Sequence, residues 1–169
     1  MSSYLSTVNQ KLLFARMLSD ELASAADNPH RQKSLVESVL FQLRLAFHFH
    51  LQEIAANYQC RQPALVADIA GLTEQLSAIN KWPSEAQEMQ SLLDSQGTWL
   101  AGLLRAYDSC FVSNGGDSSQ PSGSSTEFIA ITQLPESEDR LEAGPELVLS
   151  WLDALVEMIE RHREGMFEC

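Results

Sequence analysis

The stretch Ser34–Tyr58, SLVESVLFQLRLAFHFHLQEIAANY, decides the fold. Val36, Leu40, Leu43, Phe47, Leu51, Ile54 and Tyr58 recur at steps of three and four, the period of one helix face. Phe41, Leu45 and Phe49 add apolar surface on the other sides. A helix apolar around most of its circumference belongs in the middle of a bundle, with two or three neighbours. The spacing predicts this helix over Arg31–Asn57. Its ionisable groups include Glu37, Arg44, His48 and His50, and polar groups in such a place need partners or a task.

The flanking segments read as further helices. Upstream, Tyr4, Val8, Leu12, Ala15 and Leu22 form a core stripe over Tyr4–Ala26, closed by Asn28-Pro29 because proline disfavours helical geometry in the residue before it. Downstream, Leu65, Ile69, Leu72, Leu76 and Ile79 predict a third helix over Ala64–Ile79. A fourth begins at Ser84-Glu85-Ala86-Gln87, a capping-box pattern, and carries apolar residues to Phe111. Its glycines, Gly97 and Gly102, mark a bend or a close helix approach. Ser113 to Thr126 is rich in Gly and Ser and reads as a flexible loop. Phe128 to Thr132 suits an extended segment, and Pro135 to Gly144 an acidic linker. A last helix, Pro145–Arg163, turns Val148, Leu152, Leu155 and Ile159 inward, with Arg161 and Arg163 placed to favour its C-terminal dipole.

Bulk properties narrow the function. The chain has 169 residues, 44% of them hydrophobic, enough for one domain with a substantial core. Its net charge of −12 is uneven: residues 1–63 carry +1 and the remainder −13. That balance argues against non-specific nucleic-acid or anionic-lipid binding, which needs a basic footprint. The three cysteines, Cys60, Cys110 and Cys169, contain no Cys-x-x-Cys pair and fit a reducing cytoplasm. The start, Met1 to Leu5, lacks the pattern of a secretory signal, and no run approaches the ~20 apolar residues of a membrane span.

Motifs for chemistry are scarce. His48 and His50 stand two apart on a helix, so their side chains diverge by about 200° and cannot share an ion. There is no Glu-x-x-His pair of the di-iron bundles, no nucleophile elbow and no phosphate-binding or dinucleotide loop. No metal or cofactor is expected. Arg44 and His50 have the spacing of the arginine and histidine of HEPN-type ribonucleases, which are small helical bundles. They differ in lying mid-way along the second helix, about 120° apart. Glu37, Arg44 and His48 share one flank within about 40°. This flank predicts a polar seam, with Arg44 pairing with Glu37 or a neighbour and His48 bonding a carbonyl. Its alternative use is an anion or partner contact, to which Lys11 and Arg16 of the first helix would add charge. Lys11 also suits a plainer role, its stem covering apolar surface.

The opening Thr7-Val-Asn-Gln-Lys-Leu-Leu-Phe-Ala-Arg16, the late Trp151-Leu-Asp-Ala-Leu155 and the ending Gly165-Met-Phe-Glu-Cys169 resemble a small group of uncharacterised bacterial proteins of similar length. The resemblance implies a domain of unknown function and no catalytic residue. Together the readings give an all-α, antiparallel bundle of four or five helices. Its expected role is non-enzymatic: a cytoplasmic interaction or regulatory protein with a protein partner, a second copy being permitted. The alternative is a nucleic-acid-processing or ligand-binding bundle.

Overall fold

The computed structural model describes residues 3–112 and 143–167. The expected loop at 113–126, the extended segment at 128–132 and all but the end of the acidic linker lie outside the described residues. Within them the chain is all α, with no strand. Six helices follow in order: α1 Ser3–Leu22, α2 Pro29–Asn57, α3 Ile69–Ala78, α4 Ser84–Asp94, α5 Trp99–Ser109 and α6 Pro145–Phe167. Short 3-10 turns occupy Ala23–Ala25 and Pro63–Leu65.

The 29-residue α2 is the central element, packed by α1, α3, α5 and α6. Asn28 starts it: its side-chain oxygen accepts the Arg31 amide at 3.0 Å, and Pro29 fills the first turn, where no amide is needed. The main stripe is buried as its spacing required, from Val36 through Ile54. Burial of Leu43, Phe47 and Leu51 contributes about 1.5–3 kcal/mol per side chain. The α1 stripe of Val8, Leu12, Ala15 and Leu22 closes against α2, the most extensive helix contact among the described residues.

Three features of the middle helices differ from the sequence expectation. The long fourth helix is two, α4 and α5, because Gly97 takes φ +88, which a helix cannot continue through. Thr98 then caps α5, accepting the Ala101 amide at 3.4 Å. Helix α3 starts late, at Ile69, where Asp68 accepts the Gly71 amide at 2.7 Å; Pro63–Leu65 forms a separate turn. No capping box forms at Ser84. Pro83 holds the cap position, Ser84 is already helical, and Gln87 donates to the Trp82 carbonyl instead. Gly102 is a close-approach glycine: a Cβ there would stand 3.1 Å from Cζ2 of Trp151, so its absence lets α5 sit on the α6 indole.

Candidate functional site

The C-terminal half of α2 buries three polar residues within a single turn, His50, Gln52 and Glu53, in an otherwise apolar core. Such groups are tolerated only with partners. Gln52 donates to the carbonyls of Ala64 and Val66, both at 3.2 Å, tying the α2–α3 connection to the helix.

His50 begins a longer array. Its Nδ1 faces Glu53 Oε2 at 3.1 Å, one turn along the same helix. Its Nε2 meets Nδ1 of His162, on α6, at 3.0 Å. The other nitrogen of His162, Nε2, faces Glu88 Oε2 of α4 at 3.1 Å. Guanidiniums close both ends. Arg163 grips Glu53 with two hydrogen bonds of 2.9 and 3.0 Å and donates to Asn9 of α1 at 2.8 Å. Arg161 donates to Glu88. Glu85, buried one turn before Glu88, receives the Tyr58 hydroxyl at 3.3 Å. Side chains from α1, α2, α4 and α6 thus join in one network.

The electrostatics follow from burial and pairing. Burial pushes the His50 imidazole below its ordinary value, and the bond to Glu53 only partly offsets this. His162 is lowered by burial and by its proximity to His50. Burial alone would raise Glu53, but hydrogen bonds from His50 and Arg163 hold its carboxyl low. Glu88 behaves alike, with Arg161 and His162 outweighing its burial.

Solvent barely reaches these groups: His50 is 0% exposed, Glu53 1% and His162 3%. A general acid or base must come within hydrogen-bond reach of a substrate proton. Here the imidazole nitrogens are occupied by protein groups. The cavity of about 250 Å³ beside Val36, Leu40 and Pro145, and that of about 550 Å³ beside Trp82 and Ala86, lie elsewhere. A metal ion midway between the imidazoles would sit 1.5 Å from each nitrogen, shorter than the ~2.0–2.1 Å of a zinc–imidazole bond. Among the described residues no cluster of three His, Cys, Asp or Glu side chains is arranged to hold a metal.

The residues singled out from sequence fall elsewhere. His48 turns away from His50, its Nδ1 3.3 Å from the Ala67 carbonyl and its Nε2 3.1 Å from Gln52. Arg44 lies over the rings of Tyr107, at 5.8 Å, and Phe47, at 6.0 Å. It forms no ion pair with Glu37 among the described residues; Glu37 lines the 250 Å³ cavity. Arg44 and His50, whose spacing is ribonuclease-like, share no partner. Lys11 sits 5.4 Å from the Phe14 centroid, and Arg16 is exposed. Arg161 and Arg163 are not at a helix end, since α6 continues to Phe167; carboxylates hold them there. A local signal for the array existed in His50-x-x-Glu53, which shares one helix face as surely as the reverse order. His162 had none, lying 112 residues away.

Fold and site define a helical bundle with a sealed, charge-paired polar joint. The chain belongs to DUF6586, a family of unknown function whose model matches residues 1–169. No curated protein and no solved structure matches it.

Proposed function

We propose that the protein is a non-enzymatic, cytoplasmic interaction module that receives a partner helix on the outer face of α1. The observation that carries this reading is the exposed apolar stripe of Leu13, Phe14 and Met17 in mid-helix, with Leu13 55% and Met17 58% exposed. Three large apolar side chains side by side on one helix face suit a partner's apolar stripe, by the same helix-in-groove physics that seats α1 on α2. Ser6 and Gln10 lie at its N-terminal end, Lys11 reaches over Phe14 at one edge, and the exposed Asp20 and Glu21 bound its far end. A partner helix with an apolar centre and polar flanks complements it. The closed polar array supports a non-catalytic role, and the acidic body supports a protein partner over a nucleic acid. No helix among the described residues is long and apolar enough to cross a membrane.

The test is a tagged pull-down from the native cytoplasm, with nuclease, comparing wild type with Leu13→Glu/Met17→Glu. Both positions face outward, so helicity by circular dichroism should be unchanged. A stoichiometric protein retained by wild type and lost by the variant is the expected result. A partner held equally by both, or released by nuclease, overturns the reading.

A further inference from the structure

We infer that the His50–His162 pair is an acid-sensitive joint, holding a single shared proton between its rings and parting when a second arrives.

The two rings are nearly parallel, 18° apart, with centroids 5.3 Å apart. That separation is about the 3.0 Å nitrogen gap plus the reach of the two rings, so they meet edge to edge in one plane and do not stack face to face. The array is therefore a line: Glu53, His50, His162, Glu88, with three gaps of 3.1, 3.0 and 3.1 Å. Each gap needs one hydrogen. An ionised carboxylate only accepts, and a neutral imidazole carries one N–H. Two neutral rings therefore supply two hydrogens for three gaps, and one proton completes the line.

The surrounding charges ask for the same proton. The titratable and charged groups facing the pair are Glu53 and Tyr58 from the α2 end, Glu85 and Glu88 from α4, and Arg161 and Arg163 from α6; α1 offers the neutral Asn9. Three carboxylates face the pair against Arg163 and Arg161, and Arg161 is shared with the exposed Glu157, so the surroundings carry a net negative charge that an imidazolium offsets. The third hydrogen does not sit on a carboxylate, because hydrogen bonds from His50 and Arg163 hold Glu53 low and those from Arg161 and His162 hold Glu88 low.

A second proton has no place. With both rings cationic, four N–H groups serve three gaps, and two of them point at each other across 3.0 Å. Burial and the neighbouring ring both work against this state. The chain accepts it by moving the rings apart, and the element that moves is α6 beyond Ile159, where no apolar side chain through Met166 is fully buried and the polar array does the holding. His162 sits there with Arg163, the link to Asn9 of α1.

The test uses the full-length protein, labelled with ¹⁵N, followed by long-range ¹H–¹⁵N NMR of the imidazoles from pH 7.5 to 4.5. Amide hydrogen exchange is read in parallel at residues 159–166 and in the α2 core around Leu43. The expected result is that the two rings together gain one proton and pause. Further uptake then accompanies at least tenfold faster exchange in 159–166 while the α2 core stays protected. His162→Gln should abolish this local acid opening, and His48→Gln, outside the array, should leave it intact. Two full imidazolium charges with unchanged exchange in α6 would overturn the inference. So would loss of α2 protection in step with α6, which would reduce the effect to global acid unfolding.

Discussion

The two halves of α2 are built on different physics. From Val36 to Phe47 the helix buries Val36, Val39, Leu40, Leu43 and Phe47 against apolar neighbours. From His50 to Glu53 it buries an imidazole, an amide and a carboxylate, each held by named partners. The first half is cohesive but not directional, and its neighbours can adjust to a missing methyl. The second half is directional and interdependent: satisfied, it fixes how α1, α2, α4 and α6 meet; with one member gone, the others are left charged in a low-dielectric interior. Substitution is therefore tolerated in the first half and not in the second.

The comparison is broken most directly at Glu53. Glu53→Ala should cost about 3–5 kcal/mol, because it strands the Arg163 guanidinium and one nitrogen of His50 in the interior. Urea unfolding followed by circular dichroism measures it. A loss below about 1 kcal/mol would mean that the network is not coupled to the fold. In the apolar half, Leu43→Ala should cost about 2–5 kcal/mol, set by the cavity left behind. The sharper contrast is in repair. Leu43→Met should recover most of the loss, since volume-conserving apolar swaps are tolerated. Glu53→Gln should recover less, because an amide lacks the charge Arg163 requires. Equal recovery at both sites would erase the distinction.

Acidity separates the halves again. His50 and His162 are held below the ordinary histidine value of 6.5, and the pair has room for one shared proton, so the unfolded chain binds a second proton that the folded chain resists. Stability therefore falls as pH drops below about 6.5. Glu53 and Glu88, held below 4.5, add a second loss as pH falls further, when the folded state must surrender carboxylates that it favours ionised. Unfolding midpoints measured from pH 7.5 to 3.5 should decline through both windows. His50→Gln should flatten the upper one. The buried side chains of the apolar half carry no titratable proton, and Leu43→Met should leave the shape of this profile unchanged.

The same contrast explains what was legible in the sequence. The apolar half of α2 announces itself, because Val36, Leu40, Leu43 and Phe47 repeat with the period of the helix that buries them. Helix class and the inward faces of α1, α2 and α6 follow from such repeats. The split at Gly97 was visible only as a bend, since a glycine does not declare its φ until Thr98 is seen capping the next helix. The polar joint was largely hidden. A directional network is specified by geometry across the bundle, and nothing in the spacing of His50 or His162 states that 112 residues later a second ring arrives in the same plane. Glu37, Arg44 and His48 were conspicuous by charge on an apolar helix. Their surroundings are a cavity rim, two aromatic rings and a connector carbonyl.

Arg161 and Arg163 give the finest cut, because they differ by two residues on one helix and both pair with a carboxylate. Arg163 is 16% exposed and makes two hydrogen bonds to a Glu53 that is 1% exposed. Arg161 is 50% exposed, and its Glu88 is 36% exposed. Water competes for the second pair and screens it, while for the first pair water is no alternative partner. Arg161→Ala should therefore cost no more than about 1 kcal/mol. Arg163→Ala should cost several times that, because it leaves the buried Glu53 carboxylate with His50 as its remaining partner. Raising ionic strength from 0.05 to about 0.5 M should shrink the Arg161 effect, its pair being open to mobile ions, and leave the Arg163 effect nearly intact. Equal costs with equal salt dependence would show that burial does not grade this network. The joint would then be a set of surface ion pairs, not the rigid centre of four helices.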